Sequence, residues 1–228
     1  MNIIITGTSR GIGFELAGLL SASSEHKVIA LSRNTEPLKK FASQNNFRFL
    51  PFDVGNPENM NELLTLIKDF FNGEVHILIN NAATLIKKPF ADYTSSDFDQ
   101  LFRVNVKGVF LLIQQLLPCF AAPSHIVNIG SMGGFQGSVK FSGLSLYAAT
   151  KGALSIMSEC LAEELKPAGI AVNTLAIGAV DTQMQREAFP GYNASVTAAE
   201  MAEYIMSFAI NGHKVYNGKT LPVSLSTP

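Results

Sequence analysis

Short β-branched apolar runs alternate along the chain with longer stretches whose apolar residues recur at helical spacing. The runs at 2–6, 27–32, 47–53, 75–80, 125–130, 170–176 and 220–224 read as strands. Helical patterns fall at 12–21, 35–44, 57–71, 95–118, 146–167 and 197–210. Pro57 is expected in the first turn of its helix, where its missing N–H costs nothing. Gly169, after Lys166-Pro167-Ala168, reads as a helix stop. The strand runs are nearly continuously apolar rather than alternating. Strands read this way when both faces are buried, so helices must cover both sides. The pattern predicts one α/β domain over residues 1–228, a doubly wound, mostly parallel seven-stranded sheet with helices on both faces. The loosest segments, 132–145 and 183–196, both follow strands, where ligands bind in such sheets.

Composition narrows the function classes. The chain has 228 residues, 47% of them hydrophobic and 15% charged, enough for one core and too apolar for disorder. A formal net charge of -1 gives no electrostatic case for nucleic acid or an anionic membrane as partner. No apolar run approaches about 18 residues, so no membrane span is expected. The chain enters a strand at once, and no signal peptide is expected. Cys119 and Cys160 lie in apolar helical stretches without CxxC spacing, which favours a reduced, cytoplasmic location. His26, His76, His125 and His213 are scattered, and no metal is expected. No G-x-S-x-G elbow supports a serine hydrolase.

The chemistry begins at Thr6-Gly7-Thr8-Ser9-Arg10-Gly11-Ile12-Gly13, between the first strand and the first helix. Gly7 allows a tight turn, Gly11 lets backbone approach a pyrophosphate, and Gly13 lets the helix pack close to the sheet. The helix N-terminus then offers free N–H groups to the anion. Three glycines alone also fit a turn with no ligand. Further along stand Asp53-Val54 after the third strand, Asn80-Asn81-Ala82-Ala83 after the fourth, Asn105 in Val104-Asn105-Val106-Lys107-Gly108, and Tyr147-Ala148-Ala149-Thr150-Lys151. With these motifs in this order, the sequence resembles the short-chain dehydrogenase/reductase family over about residues 1–182. That family's glycine motif is T-G-x-x-x-G-I-G and its catalytic motif Y-x-x-x-K. Ala83 replaces the usual glycine of its N-N-A-G element.

The resemblance implies a Rossmann fold that binds a nicotinamide dinucleotide. It assigns contacts to Gly7, Ser9, Arg10, Gly11, Ile12 and Gly13 in the turn, to Asp53 and Val54 on the adenine side, and to Asn81 and Ala82 after the fourth strand. At the end of the second strand, Leu31-Ser32-Arg33-Asn34 contains no carboxylate to bind a ribose 2′-hydroxyl. Arg33 with Arg10 could clamp a 2′-phosphate instead, so the cofactor is expected to be NADP(H), with Ser32 beside it. After the sixth strand the family reads P-G-x-x-x-T, and this chain reads Ile177-Gly178-Ala179-Val180-Asp181-Thr182. Gly178, Val180 and Thr182 are expected at the nicotinamide, and loss of the proline removes a φ restraint from this loop.

Tyr147 and Lys151 stand four residues apart, on one face if 146–167 is helical. Carbonyl reduction needs a proton donor as hydride arrives. A free phenol has a pKa near ~10. A lysine ammonium about 5 Å away, at an effective dielectric of about 20, would favour the phenolate by roughly 3 kcal/mol, or about two pKa units. Lys151 is therefore expected to bring Tyr147 toward the working range, and by resemblance to bond the nicotinamide ribose, with Tyr147 also in contact with the cofactor. Ser131, at the end of the fifth strand, is expected to hold the substrate oxygen. It precedes Tyr147 by sixteen residues, more than in many family members, because the loop between is long. Asn105 is expected to hold a water linking Lys151 to solvent.

The implied activity is hydride transfer between NADP(H) and a small-molecule carbonyl or alcohol: a ketone, aldehyde or 3-oxoacyl compound. A catalytically silent dinucleotide-binding sensor is the alternative, and NAD dependence is a second. Phe135, Phe141, Met184, Phe189 and Tyr192 in the two loose segments make the substrate pocket partly apolar. Apolar residues on the helices at 95–118 and 146–167 (Val109, Phe110, Leu112, Ile113, Leu154, Met157) fit either a helix-on-helix homodimer or plain cover for the sheet. A homodimer or homotetramer is expected. The chain after 220 lacks the family's V-D-G-G-like turn, which leaves one tetramer interface open.

Overall fold

The structure, a computed structural model, describes residues 1–225. Its strands are β1 (Asn2–Thr6), β2 (Lys27–Ser32), β3 (Phe47–Pro51), β4 (Val75–Asn80), β5 (Phe120–Ile129), β6 (Ile170–Ile177), β7 (Val180–Asp181), β8 (Val196–Thr197) and β9 (Thr220–Val223). The α-helices are α1 (Gly11–Ser21), α2 (Met60–Phe71), α3 (Ser95–Phe102), α4 (Gly108–Leu116), α5 (Ser145–Leu165), α6 (Gln183–Ala188) and α7 (Ala198–Asn211). Seven strands form one sheet in the order β3-β2-β1-β4-β5-β6-β9, and every pairing in it is parallel. Alternate residues of each strand enter opposite cores. Ile3 and Ile5 pack with Leu16 of α1 and Ile205 of α7 on one face. Ile4 packs with Leu63 of α2, Leu112 of α4 and Leu154 of α5 on the other. This two-sided burial is why the strands read as unbroken apolar runs.

The strand order reverses between β1 and β4, opening a crevice at their carboxyl ends, where doubly wound sheets bind ligands. Val109, Leu112, Ile113 and Leu154 are buried in the core, so they cover the sheet. Phe110 remains exposed, and Met157 packs partly buried against the core.

Several boundaries differ from the sequence expectation for local reasons. β3 ends at Pro51, opposite Ser32, and Asp53 Oδ1 then accepts the Gly55 N–H at 2.9 Å and turns the chain. The pattern at 35–44 forms only a 3₁₀ segment, Glu36–Phe41, because Leu38 and Phe41 are its sole buried anchors. Pro57 lies ahead of α2, since turns from Asp53 to Asn56 and from Asn56 to Glu58 use up the intervening residues. The pattern at 95–118 is broken by a π-helical turn, Arg103–Lys107. β5 begins at Phe120, five residues before the expected start, because Ala121-Ala122-Pro123-Ser124 carries no β-like signal. Gly169 ends its helix as expected, with φ +70°. The segment 183–196 contains α6 and is closed by the parallel β7–β8 pair.

One buried group makes the fold acid-sensitive. His125 of β5 is fully buried, with Nδ1 2.9 Å from Ala209 O and Nε2 3.0 Å from Asn173 Nδ2. Burial holds its pKa down at about 4, and nearby His213 adds to the effect. The folded value lies below the unfolded one. Its contribution is therefore complete above about pH 6.5 and is lost as pH falls toward 4, to a total of about 3 kcal/mol. Thermal melts of the wild type should fall steeply between pH 7 and 5. Those of His125→Gln should fall less; identical pH slopes would exclude His125 as the cause.

Candidate active site

A cavity of about 1060 Å³ runs along the carboxyl ends of the strands. Of the residues predicted for the site, Gly7, Ser9, Arg10, Gly11, Ile12, Ser32, Arg33, Asp53, Val54, Asn81, Ala82, Ser131, Tyr147, Lys151, Gly178, Val180 and Thr182 line it. Gly13 and Asn105 do not; each sits behind the wall.

The glycine turn is built by close approach. The Gly7 N–H bonds Leu31 O at 2.8 Å, and φ at Gly7 is +73°, a value that favours glycine. A Cβ on Gly13 would stand 2.2 Å from Gly7 O, so only glycine lets α1 start against β1. Asn81 braces the turn from the next strand: its Nδ2 donates to Thr6 O and Gly7 O, each at 3.0 Å. Thr6 Oγ1 accepts the N–H groups of Asn81 and Ala82, also at 3.0 Å. No side chain caps α1, and its first turn carries no acid. Its N-terminal residues therefore present amides and positive partial charge to the cavity, and a cradle this tight fits a pyrophosphate.

At the end of β2, Ser32 is buried and its Oγ donates to Asn34 O at 2.7 Å. Arg33 projects exposed into the cavity wall. Arg10 shares that wall and faces Glu187 at 3.8 Å, a solvated pair of small energetic weight. Among the described residues Asp53 is the sole carboxylate in the wall, and its Oδ1 accepts the Gly55 N–H. Arg103, from the π-helical turn, also lines the cavity, and its Cγ lies close beside Gly55. Sequence reading missed it. Its position two residues before Asn105 was visible, but the inward swing of that turn was not.

Three predicted catalytic side chains converge. Ser131 follows β5, and its Oγ accepts the Gly133 N–H at 3.1 Å. A Cβ on Gly134 would lie 2.6 Å from Gly152 N and 2.7 Å from Lys151 Cβ, so glycine seats the Ser131 turn directly on α5. Tyr147 and Lys151 share one face of α5, with Lys151 Nζ 5.8 Å from the tyrosine ring centroid. Lys151 is buried and donates to Ile129 O at 2.7 Å.

The protonation states differ from the expectation. Burial pushes the Tyr147 phenol up to about 12, opposed by a hydrogen bond with Ser131. Burial pulls Lys151 down to about 8. Each charged form loses its hydration, and that loss is the largest cause at both groups. The protein alone therefore keeps Tyr147 protonated.

The Asn105 side chain acts as a brace, a role compatible with the water-holding role expected of the residue. Oδ1 accepts the Thr84 N–H at 2.8 Å, and Nδ2 donates to Thr84 O at 2.9 Å and Thr150 Oγ1 at 3.1 Å. Thr150 Oγ1 in turn donates to Tyr147 O at 2.7 Å. The asparagine thus ties the loop after β4 to the first turns of α5.

Ile177, standing where a proline was expected, extends β6 and pairs with Val223. The Gly178 N–H bonds Val223 O at 2.8 Å, and a Cβ on Gly178 would meet Ser224 Oγ at 2.4 Å. Strand pairing with β9 thereby supplies the restraint that proline would have given. Thr182 caps α6, accepting the Gln185 N–H at 3.2 Å. Phe141, Met184, Phe189 and Tyr192 line the cavity, whereas Phe135 does not.

Among the described residues, no group of three or more His, Cys, Asp or Glu side chains could hold a metal ion. No helix of the described residues is long and apolar enough to cross a membrane.

Comparison with known proteins agrees with this fold. The family model for short chain dehydrogenase matches residues 1–193. An uncharacterized oxidoreductase of Staphylococcus aureus strain MW2 is 32% identical over 208 residues, covering 89% of this chain and 88% of that protein. The crystal structure of a short-chain dehydrogenase/reductase, glucose/ribitol dehydrogenase, from Brucella melitensis superposes with a TM-score of 0.87 at 25% identity, covering 98% of this chain and 94% of that one. A short chain dehydrogenase from Burkholderia cenocepacia J2315 in complex with NADP superposes with a TM-score of 0.86 at 26% identity, covering 97% and 95%.

Proposed function

The chain belongs to the short-chain dehydrogenase family, and from that premise we propose that it is an NADP(H)-dependent oxidoreductase acting on a ketone, aldehyde or 3-oxoacyl compound. The whole chain serves as one dinucleotide-binding and catalytic domain. The observation that carries the proposal is the convergence of Ser131, Tyr147 and Lys151 on a cavity that the glycine turn also lines. A silent sensor has no chemical need for that set.

The bound dinucleotide supplies or accepts the hydride. Ser131 holds the substrate oxygen, and Tyr147, protonated at neutral pH, gives that oxygen its proton during reduction. Lys151 anchors the reacting end of the cavity and lends positive charge below its pKa of about 8. Alcohol oxidation needs the phenolate, and the positive charge of an oxidised nicotinamide favours that form. Asn105 and Thr150 fix the helix turn that carries Tyr147. Following NADPH oxidation against ketones, aldehydes and 3-oxoacyl thioesters tests the reading. Tight cofactor binding without turnover on any of them favours the sensor.

The preference for NADP rests on Arg33 and Arg10 in a wall that has, among the described residues at the end of β2, no carboxylate beside them. Charge-assisted bonds of this kind contribute about 1.5–3 kcal/mol, so Arg33→Ala should weaken NADPH binding by roughly 10- to 100-fold. NADH affinity should move far less. Fluorescence titration of both nucleotides checks this, and equal losses would point to NAD dependence.

The same reading takes the protein to be a cytoplasmic homo-oligomer. Two free cysteines and the exposed Phe98, Phe110 and Ile156 on α3, α4 and α5 support it.

A further inference from the structure

The oxidoreductase reading leaves the substrate open, and one wall of the cavity narrows it. Phe141 in the loop after β5 and Phe189 after α6 meet edge to face, with ring centroids 6.2 Å apart at 71°. Tyr192 joins them in the wall. Phe141 and Tyr192 are 51% and 56% exposed. Exposed aromatics are unremarkable singly, but three converging in a concave wall form apolar surface of the kind ligands cover. Leu144 and Met184 complete this wall.

One ring of the wall is braced from behind. Lys87, from the loop after β4, lies 4.1 Å from the Phe189 ring centroid and donates to Ala188 O at 2.9 Å. This holds the ring in place from outside the wall. The polar groups nearby are largely spent within the protein. Gln183 Nε2 donates to Glu187 at 2.7 Å, and Gln185 Nε2 donates to Tyr192 O at 3.2 Å. Lys140 Nζ is held by Phe135 O and Ser138 Oγ. One buried acceptor, Gln185 Oε1, lacks a hydrogen-bond partner, which leaves room for a single donor on a ligand. A polyol would exchange little of its hydration for hydrogen bonds against three aromatic rings. A flat ring gains both a face and an edge from the Phe141–Phe189 pair.

Resting on the oxidoreductase reading, we propose that the preferred substrate bears its carbonyl on a flat apolar ring, as in an aryl ketone or aldehyde, packed against Phe141, Phe189 and Tyr192. The carbonyl carbon accepts a hydride from the reduced dinucleotide and the oxygen takes the Tyr147 proton. The products are the aryl alcohol and the oxidised dinucleotide.

The test compares kcat/KM with NADPH for acetophenone, methyl hexyl ketone of equal carbon count, and dihydroxyacetone. The aryl ketone should lead the alkyl ketone by about tenfold, and Phe141→Ala or Tyr192→Ala should each cut that ratio by about three- to tenfold. A preference for methyl hexyl ketone or dihydroxyacetone overturns the proposal. A second arm needs no turnover: naphthol, added with NADP, should raise the melting temperature of the wild type and not of the double variant Phe141→Ala/Tyr192→Ala. If naphthol stabilises the wild type but no carbonyl is reduced, the ring site stands and the oxidoreductase reading falls. If naphthol fails to stabilise the wild type, the ring site falls whatever the turnover.

Discussion

Tyr147→Phe should lower kcat for carbonyl reduction by about a thousandfold, the range expected when a positioned general acid is removed. The change takes away one hydroxyl and leaves the ring that packs beside Lys151. Dinucleotide affinity should stay within a few-fold, because the phosphate cradle lies on other elements, β1 and α1. Stability should change little, since the ring packing is kept and the hydroxyl gives up only its hydrogen bond with Ser131, worth about 1 kcal/mol. Stopped-flow measurement of NADPH oxidation together with a binding titration separates the two effects. A variant that keeps more than about a tenth of wild-type kcat would remove Tyr147 from the chemistry.

Gly13→Ala should cost both stability and cofactor binding. Its Cβ would fall 2.2 Å from Gly7 O, 2.9 Å from Gly7 C and 2.5 Å from Asn81 Nδ2. The carbonyl cannot yield, because Asn81 Nδ2 bonds it at 3.0 Å while the Gly7 N–H is tied to Leu31. Relief requires α1 to move off β1, at a cost of about 1–3 kcal/mol. It also displaces the first-turn amides, and a shift of about 1 Å in a positioning element can cost roughly a hundredfold. NADP affinity measured by calorimetry should drop by that order, and the melting temperature should fall by roughly 2–8 °C. Gly152→Ala is the control, since its Cβ would meet only Gly134 O at 3.5 Å, an ordinary contact. Equal behaviour of the two variants would contradict the cradle geometry.

Most of the scaffold was legible because two-sided burial writes itself into sequence as unbroken apolar strands. The runs ending at Thr6, Ser32 and Asn80 reached the structure with their limits intact. What stayed hidden lacked a local signature. The first half of β5 contains Pro123 and two alanines, and its pairing with β4 and β6 comes from the sheet rather than from propensity. The π-helical turn at Arg103–Lys107 adds one residue to a helix that reads as regular, and it decides where Asn105 and Arg103 point.

The site was legible to a similar depth. Spacing placed Tyr147 and Lys151 on one face and put Ser131 at a strand end, and all three reach the cavity. Spacing did not carry the balance of desolvation against charge. A Coulomb estimate from Lys151 alone lowers the phenol, yet the burial of both groups prevails. Nor did it reveal that β9 would replace a missing proline, because Ile177 and Val223 are far apart in sequence and meet only through sheet register.

The most direct test follows the isotope. Wild-type protein is given NADPH carrying deuterium at the transferable C4 position, with acetophenone and other carbonyl compounds, and the alcohols are analysed by mass spectrometry. The account predicts an alcohol carrying one deuterium on its carbinol carbon. NADPH that binds tightly while every product pool stays free of the label would contradict it.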